Sequence, residues 1–501
     1  MNNPPKVNDR YLNAYERMLG PFWGLLIPSV CVIVLMVITA VQSQQRIIPP
    51  VDIPRPVEDD QPLDEKQEDI PPEPPEPVEP QVDIQIDTPV ATFNETQFVN
   101  QDPVVTSEPV TMKPADVDAV AIIKSPVHMP SVLGSRTTGV RGKFLTGGPT
   151  VGDASTENSV LRALRWLKKT QRTDGSWEGQ PISNTALALL CYLAHGETPR
   201  SKEFGTTVET ALEYLIGAMQ EGADGQVRFK GSDGNEYAFL IATYALAEAY
   251  GMTKHPDAQY AAEKGLVRIL GGQSPTGGWD YKLNRESTRD DMSYAGWALQ
   301  ALKACKLAGL HAEGLDECIK KAVNCLAKRN FNNGGFNYTA GGRATGLTAT
   351  GCLAMQLLGF SDRGEVAASL DTMREWLPTF SKDDLRIGGA SAGVCPQYYC
   401  YYATQCKYQS GMCAGAEKKN VESWAKWNAA MKKLYPSTII VPEEKIEGPD
   451  GREYEIGYWK NTDAHGAGDT MSTCLCALQL MVYYRYLPTT KVPSPRHLAK
   501  L

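Results

Sequence analysis

Glycine–aromatic turns recur along this chain, and their spacing constrains the fold more than any other feature. Asp174-Gly175-Ser176-Trp177 is followed by Asp224-Gly225 ahead of Phe229, by Thr276-Gly277-Gly278-Trp279 and by Asn333-Gly334-Gly335-Phe336. A degenerate copy is Arg386-Ile387-Gly388-Gly389, and a last one is Gly457-Tyr458-Trp459. Intervals between the glycines are 50 to 57 residues until the final one, which is longer. A period of that size means stacked supersecondary units, none of which can bury its apolar face alone.

Each unit has the same grammar. An amphipathic helix precedes the turn, as in Val160-Leu161, Leu164 and Trp166-Leu167 with basic residues between them, and Ser155-Thr156-Glu157 offers caps at its start. After the turn comes a small-residue helix that is apolar nearly all round: Thr185 to Cys191, Tyr237 to Ala242, Tyr294 to Leu299, Thr348 to Leu353. A helix apolar on all sides must be buried on all sides, so the amphipathic partner is the outer one. Six such pairs predict an all-α fold, an (α/α)6 toroid of helix hairpins over residues 155–490, with 491–501 as a tail. An open superhelix would need polar terminal repeats. The last helix, Thr470 to Tyr486, is as apolar as the others, which favours closure.

The residues ahead of the repeats read differently. No charge occurs between Arg17 and Arg46, and residues 22–42 form an apolar run matching the ~30 Å hydrocarbon core of a bilayer. Lys6, Arg10 and Arg17 precede it, so positive-inside logic puts residues 1–21 in the cytoplasm and the rest of the chain outside. The expectation is a single-pass signal-anchor in an inner membrane. A cleaved signal peptide is the alternative, but both the apolar stretch and its leader are long for one. Residues 43–82 form a Pro/Glu-rich linker; eleven prolines and eleven acidic residues fall within 49–80. Such a segment cannot bury enough apolar surface to fold and should be extended. Residues 83–154 read as irregular.

Composition excludes several classes. Of 501 residues 42% are hydrophobic and 22% charged, which rules out both a wholly disordered chain and a polytopic membrane protein. A net charge of −8 offers no basic face for nucleic acid, and none is expected as a partner.

The turns also carry a specific pattern. Arg162-Ala163, Trp166-Leu167, Gln171, Gly175 and Trp177 match every position of the squalene-cyclase and oxidosqualene-cyclase repeat, which runs basic, small, aromatic, aliphatic, Gln, Gly, Trp. Lys264-Gly265, Ile269, Gln273, Gly277 and Trp279 match except that Arg268 replaces the aromatic. Lys321-Ala322, Leu326, Gly334 and Phe336 match with Cys325 and Asn330 as departures. The chain thus resembles the prenyltransferase and squalene-cyclase repeat family, in a membrane-anchored bacterial form. The resemblance implies the toroid and an apolar or isoprenoid ligand. Without the family, the Gln can hydrogen-bond the turn backbone and the aromatic can cover the preceding helix, a scaffold role that says nothing of chemistry.

Chemistry is harder to find. The acid of class II terpene cyclases is an Asp-x-Asp-Asp motif, implied by the resemblance to fall at Thr288-Arg289-Asp290-Asp291. Its first Asp is absent, and Arg289 favours ionised carboxylates, the wrong state for a strong acid. Asp290 and Asp291 are nevertheless the catalytic candidates; the structural reading is that one caps the helix near Met292. Trp279, Asp280, Trp297, Asp463, His465 and Asp469 are candidates to line a central cavity. Asp463, His465 and Asp469 could also bind a metal, but a polar turn at the toroid mouth is the better reading, so no metal or cofactor is expected. Toroids that hydrolyse glycosides use two carboxylates across a cleft, for which Asp280, Glu286, Asp290, Asp291, Asp463 and Asp469 are available. Cys395, Cys400, Cys406 and Cys413 would allow one or two disulfides outside the cytoplasm, whereas Cys191, Cys305, Cys352, Cys474 and Cys476 read as small core residues. Because the acid motif is broken, the sequence leans against catalysis. It favours a membrane-anchored protein that binds an apolar ligand or an envelope partner, with a terpenoid cyclase as the rival and a polysaccharide-acting toroid as the third reading.

Overall fold

The computed structural model describes residues 131–485 apart from 223–224, 231–235 and 414. Of the two units into which the chain divides, Met1–Ala91 and Thr92–Leu501, all described residues belong to the second. The apolar run 22–42 and the linker 43–82 lie outside them. Among the described residues no helix is long and apolar enough to cross a membrane.

Among the described residues twelve helices of nine or more residues alternate between two layers. The outer ones are α1 (Ala154–Thr170), α3 (Gly205–Ala218), α5 (Pro256–Gly271), α7 (Leu315–Cys325), α9 (Gly364–Thr372) and α11 (Lys418–Thr438). The inner ones are α2 (Pro181–His195), α4 (Tyr237–Thr253), α6 (Met292–Ala308), α8 (Thr348–Leu357), α10 (Pro396–Met412) and α12 (Gly468–Leu480). Each inner helix packs on the next, and α12 returns to α2, so the six form a closed ring. The all-round apolar pattern explains the layering: every residue from Ile182 to His195 of α2 is buried, and α8 is buried throughout. Helix α10 reaches the same burial by another route. Gln397, Thr404, Gln405, Lys407 and Gln409 are all inside, each held by hydrogen bonds or packing that its apolar neighbours do not need. Four short antiparallel hairpins follow α3, α7, α9 and α11: β1–β2 (Met219–Glu221, Val227–Phe229), β3–β4 (Phe331–Asn332, Gly335–Phe336), β5–β6 (Arg386–Ile387, Ala390–Ser391) and β7–β8 (Lys445–Glu447, Glu453–Glu455).

The repeated turn stitches neighbouring units. Gln171 Nε2 donates to Gly175 O at 3.0 Å within its own turn and to Thr207 O of α3 at 3.0 Å. Gln273 Nε2 does the same to Gly277 O at 2.9 Å and to Cys318 O of α7 at 2.8 Å. Trp177 Nε1 donates to Leu167 O and Trp279 Nε1 to Ile269 O, both at 2.9 Å, which locks each indole under the helix before it. Gly175 and Gly277 hold φ of +87° and +96°, and a Cβ on either would collide with a carbonyl of the next outer helix, Thr210 O or Lys321 O. Glycine is thus required twice over, by backbone conformation and by close approach. At the start of α1 the cap is Asp153, in a capping box with Thr156, rather than one of Ser155, Thr156 and Glu157.

One end of the ring is stoppered. Ser131–Arg136, Thr138–Arg141 and Gly142–Phe144 form short helical turns, and Val482–Arg485 forms another directly after α12. Ser135 Oγ donates to Tyr484 O at 2.7 Å and Arg136 Nε to Arg485 O at 3.0 Å, joining the two segments. Arg136 also reaches Leu193 O, near the C-terminus of α2, at 3.3 Å and Glu248 of α4 at 2.9 Å. Arg485 points on into the ring, to Tyr244 OH at 2.6 Å and Tyr401 OH at 3.2 Å, and Tyr401 OH donates to Gln300 Oε1 at 3.1 Å. The interior is therefore filled from the C-terminal ends of the inner helices, and the accessible end is the one at their N-termini.

Candidate functional site

The N-terminal ends of the inner helices gather aromatic side chains. Tyr237 opens α4, Tyr294 lies in the first turn of α6, and Tyr398 and Tyr399 lie in that of α10. The Tyr237 ring sits 5.0 Å from Tyr294 and 5.6 Å from Tyr281, which the preceding loop supplies. Across the ring Tyr398 lies 6.3 Å from Trp297 and 5.0 Å from Tyr402, and Trp297 stacks on Tyr401 at 5.8 Å. Ser293 joins the two groups: its Oγ is hydrogen-bonded to Tyr237 OH, and its carbonyl accepts from Tyr398 OH at 3.3 Å. Tyr237, Tyr281, Tyr398 and Tyr399 are half-buried and Tyr338 is exposed, so the cluster presents ring faces to solvent.

The sequence candidates fall in different places. Asp291 caps α6, accepting from Tyr294 N at 3.2 Å and Ser293 Oγ at 2.5 Å, and its other oxygen pairs with Arg289 Nη2 at 3.0 Å. Asp290 is buried behind it, bound by Thr276 Oγ1 and the Arg329 guanidinium. Each carboxylate has its own arginine. Trp279 does not line a cavity: fully buried, it belongs to the seam between layers. Asp280 shapes its own loop, accepting from Lys282 N at 3.0 Å and Asn284 N at 2.9 Å. Of the aromatic candidates only Trp297 faces the ring interior.

The loop between β8 and α12 holds the remaining three. Asp463 is buried, and its two oxygens accept from the backbone N–H groups of Gln397 at 3.0 Å and Tyr398 at 2.9 Å, at the first turn of α10. Burial pushes its carboxyl up to about 6, outweighing those two hydrogen bonds. Asn461 links it to Asp469: Asn461 N donates to Asp469 Oδ1 at 2.8 Å, and Asn461 Oδ1 accepts from Asp463 N at 3.2 Å. Asp469 is half-buried. His465 is exposed, while Asp463 is enclosed, so the trio does not converge as metal ligands. Among the described residues no group of three or more His, Cys, Asp or Glu side chains could hold a metal.

Cys395, Cys400, Cys406 and Cys413 are free thiols, correcting the expectation of disulfides there. Cys400 and Cys406 sit on one buried helix and point to different neighbours, the carbonyls of Thr379 and Ala349 respectively. The tyrosines of the mouth were missed in sequence, although an aromatic in the first turn of an otherwise small-residue helix is a readable signal at Tyr237, Tyr294 and Tyr398.

No family model and no curated protein matches the chain. Several solved structures resemble it. The GH76A α-1,6-mannanase of a Salegentibacter species gives a TM-score of 0.44 at 14% identity, covering 66% of this chain and 98% of that one. Cellobiose 2-epimerase from Bacillus thermoamylovorans gives 0.47 at 14% identity, covering 64% and 98%. Endo-β-1,4-glucanase from Acetobacter xylinum gives 0.36 at 13% identity, covering 56% and 99%. None of the three is a squalene cyclase or prenyltransferase. The resemblance read from the repeated turn is corrected accordingly, and with it the non-catalytic apolar-ligand binder and the terpenoid-cyclase alternative. The physical reason is visible in the fold: Gln171, Gln273 and their tryptophans join one helical hairpin to the next, a task independent of any reaction. At these scores the likenesses assign no family, and function has to be read from the chain's own residues.

Proposed function

We propose that this protein is a carbohydrate-acting enzyme working at the N-terminal mouth of its helical ring. The observation that carries the reading is the juxtaposition of Asp463 with the tyrosine cluster: the backbone N–H that holds its carboxylate belongs to Tyr398, whose ring packs against Trp297 and Tyr402. Sugar rings offer apolar C–H faces that pack on aromatic faces, and cleavage of a glycosidic bond needs a carboxyl that can still carry a proton near neutral pH. Asp463, raised to about 6 by burial, meets that need. It is assigned the proton for the glycosidic oxygen, which requires its enclosed carboxyl to be uncovered when glycan binds, and Asp469, tied to it through Asn461, is assigned the place of the second carboxylate. The apolar run 22–42 is proposed to hold the domain at the outer face of a membrane, on the support of its length and flanking charges.

The test is release of reducing ends by the full-length protein from a panel of α- and β-linked polysaccharides. Asp463→Asn keeps one oxygen, enough for either the Gln397 or the Tyr398 N–H group, sets its NH2 against the other, and has no acidic proton to give; it should lose at least 100-fold in kcat, at the low end of about 10²–10⁴ for general-acid catalysis. Wild-type activity should fall as pH rises through about 6. No release from any glycan, or an Asp463→Asn variant as active as wild type, would overturn the reading.

A further inference from the structure

Arg289 is a basic side chain built into the aromatic mouth. Its guanidinium carbon lies 5.0 Å from the Tyr281 ring centre and 5.3 Å from that of Tyr338. Nη2 is held by Asp291 at 3.0 Å, and among the described residues this is the only side-chain hydrogen bond Arg289 makes. The side chain is 43% exposed although its partner Asp291 is fully enclosed. The plane is thus oriented by two rings and anchored at one corner, while among the described residues Nε and Nη1 have no protein acceptor. Nε and Nη1 lie on opposite edges, so the fork open to a carboxylate pairs one of them with the second Nη2 hydrogen that Asp291 leaves over, and in a guanidinium fixed in this way little rotamer freedom is left to lose on binding. Lys282, Arg285 and Glu286 are exposed on the same loop.

A purely structural role would be a clamp on the start of α6. Arg289 also neutralises the enclosed Asp291, which caps the helix through Tyr294 N and Ser293 Oγ, and that role occupies one corner of the guanidinium. What the clamp leaves over is a donor edge facing water between two tyrosines. Resting on the carbohydrate reading above, we infer that Arg289 is a specificity-determining residue that receives the carboxylate of an acidic sugar, so that the substrate class is a uronic-acid-containing glycan. The tyrosines carry the ring of the sugar and Arg289 carries its charge.

The experiment compares binding and turnover of polyuronates (polygalacturonate, alginate) with neutral glycans (mannan, xylan), using the full chain and its Arg289→Gln and Arg289→Lys variants. The wild type should prefer the polyuronates. Arg289→Gln should raise KM for them about tenfold or more with kcat little changed and leave neutral glycans unaffected; Arg289→Lys, which keeps the charge but not the fork, should recover only part. The double variant Arg289→Gln/Asp291→Asn removes the carboxylate that the single variant leaves without its cation, and should show the same loss of preference. Cleavage of neutral glycans with no preference for acidic ones would overturn this inference and leave the carbohydrate reading standing. So would a preference that survives Arg289→Gln. If neither kind of glycan is bound or cleaved, the carbohydrate reading fails and this inference falls with it.

Discussion

Arg136 and Glu248 form an ion pair of 2.9 Å inside the helical ring, with side-chain exposures of 0% and 3%. The arginine comes from a short turn ahead of the first repeat and the glutamate from the second inner helix, 112 positions later. The segment that precedes the repeats is thereby part of the ring's interior.

Removing the arginine should be costly. Arg136→Met removes the cation hydrogen-bonded to the enclosed Glu248 carboxylate, a loss that costs about 3–5 kcal/mol. Urea denaturation should show a lower midpoint with an unchanged slope. The double variant Arg136→Met/Glu248→Leu should recover much of the loss, since a buried pair replaced by apolar groups is often neutral.

The turn motif makes a second prediction. Gln273→Ala removes donors from two carbonyls at once, Gly277 O and Cys318 O, and should destabilise by about 2 kcal/mol. Gly277→Ala should cost more than that, because the residue holds φ +96° and has the Lys321 carbonyl against it. Thermal melting of the two variants checks the order.

Acid should find a weak point at Glu157. Burial alone would raise this carboxyl, but hydrogen bonding and charge from His195, with Arg141, outweigh it and bring it down from 4.5 to about 2. A folded-state value below the unfolded one stabilises above the unfolded value and is lost as pH falls, here between about 4.5 and 2. His195 runs the other way. Burial and Arg141 push it down, but Glu157 and Glu197 prevail and raise it, so its contribution is present below 6.5 and lost as pH rises through the folded value. Glu157→Gln should therefore cost on the order of 3 kcal/mol near neutral pH, with the difference from wild type vanishing toward pH 2. Stability measured across pH 2 to 8 would refute this if the two curves ran parallel.

Thiol chemistry gives a fourth. Of the eleven described cysteines only Cys395 and Cys413 are not buried. Burial pushes Cys305, Cys318, Cys325 and Cys400 up to about 12, and Cys395 up to about 11. A thiol reagent applied to the native protein should label Cys395 and Cys413 and leave the other nine until denaturant is added. Mass spectrometry of labelled peptides reads the result, with Cys31 outside the described residues left out of the comparison.

The sequence by itself determined the layering. Segments such as Thr185 to Cys191 have no polar face, so no arrangement but an inner layer satisfies them, and the Gln–Gly–Trp spacing dictates turns that can be closed only by a glycine with positive φ. It also named Asp463 and Trp297, though not for their neighbours. Tertiary structure decided the rest. Helix α10 was hidden because its buried glutamines and lysine find partners on other elements, as Gln397 does at Ser472 Oγ and Lys407 at Arg374 O. The stopper was hidden because Arg136 becomes an interior residue only when Glu248 faces it. The mouth was hidden for the same reason: the loop of Tyr281 and Arg289 lies far along the chain from Tyr338 and Tyr398, and periodicity records what each helix buries but not which side chains the closing of the ring brings face to face.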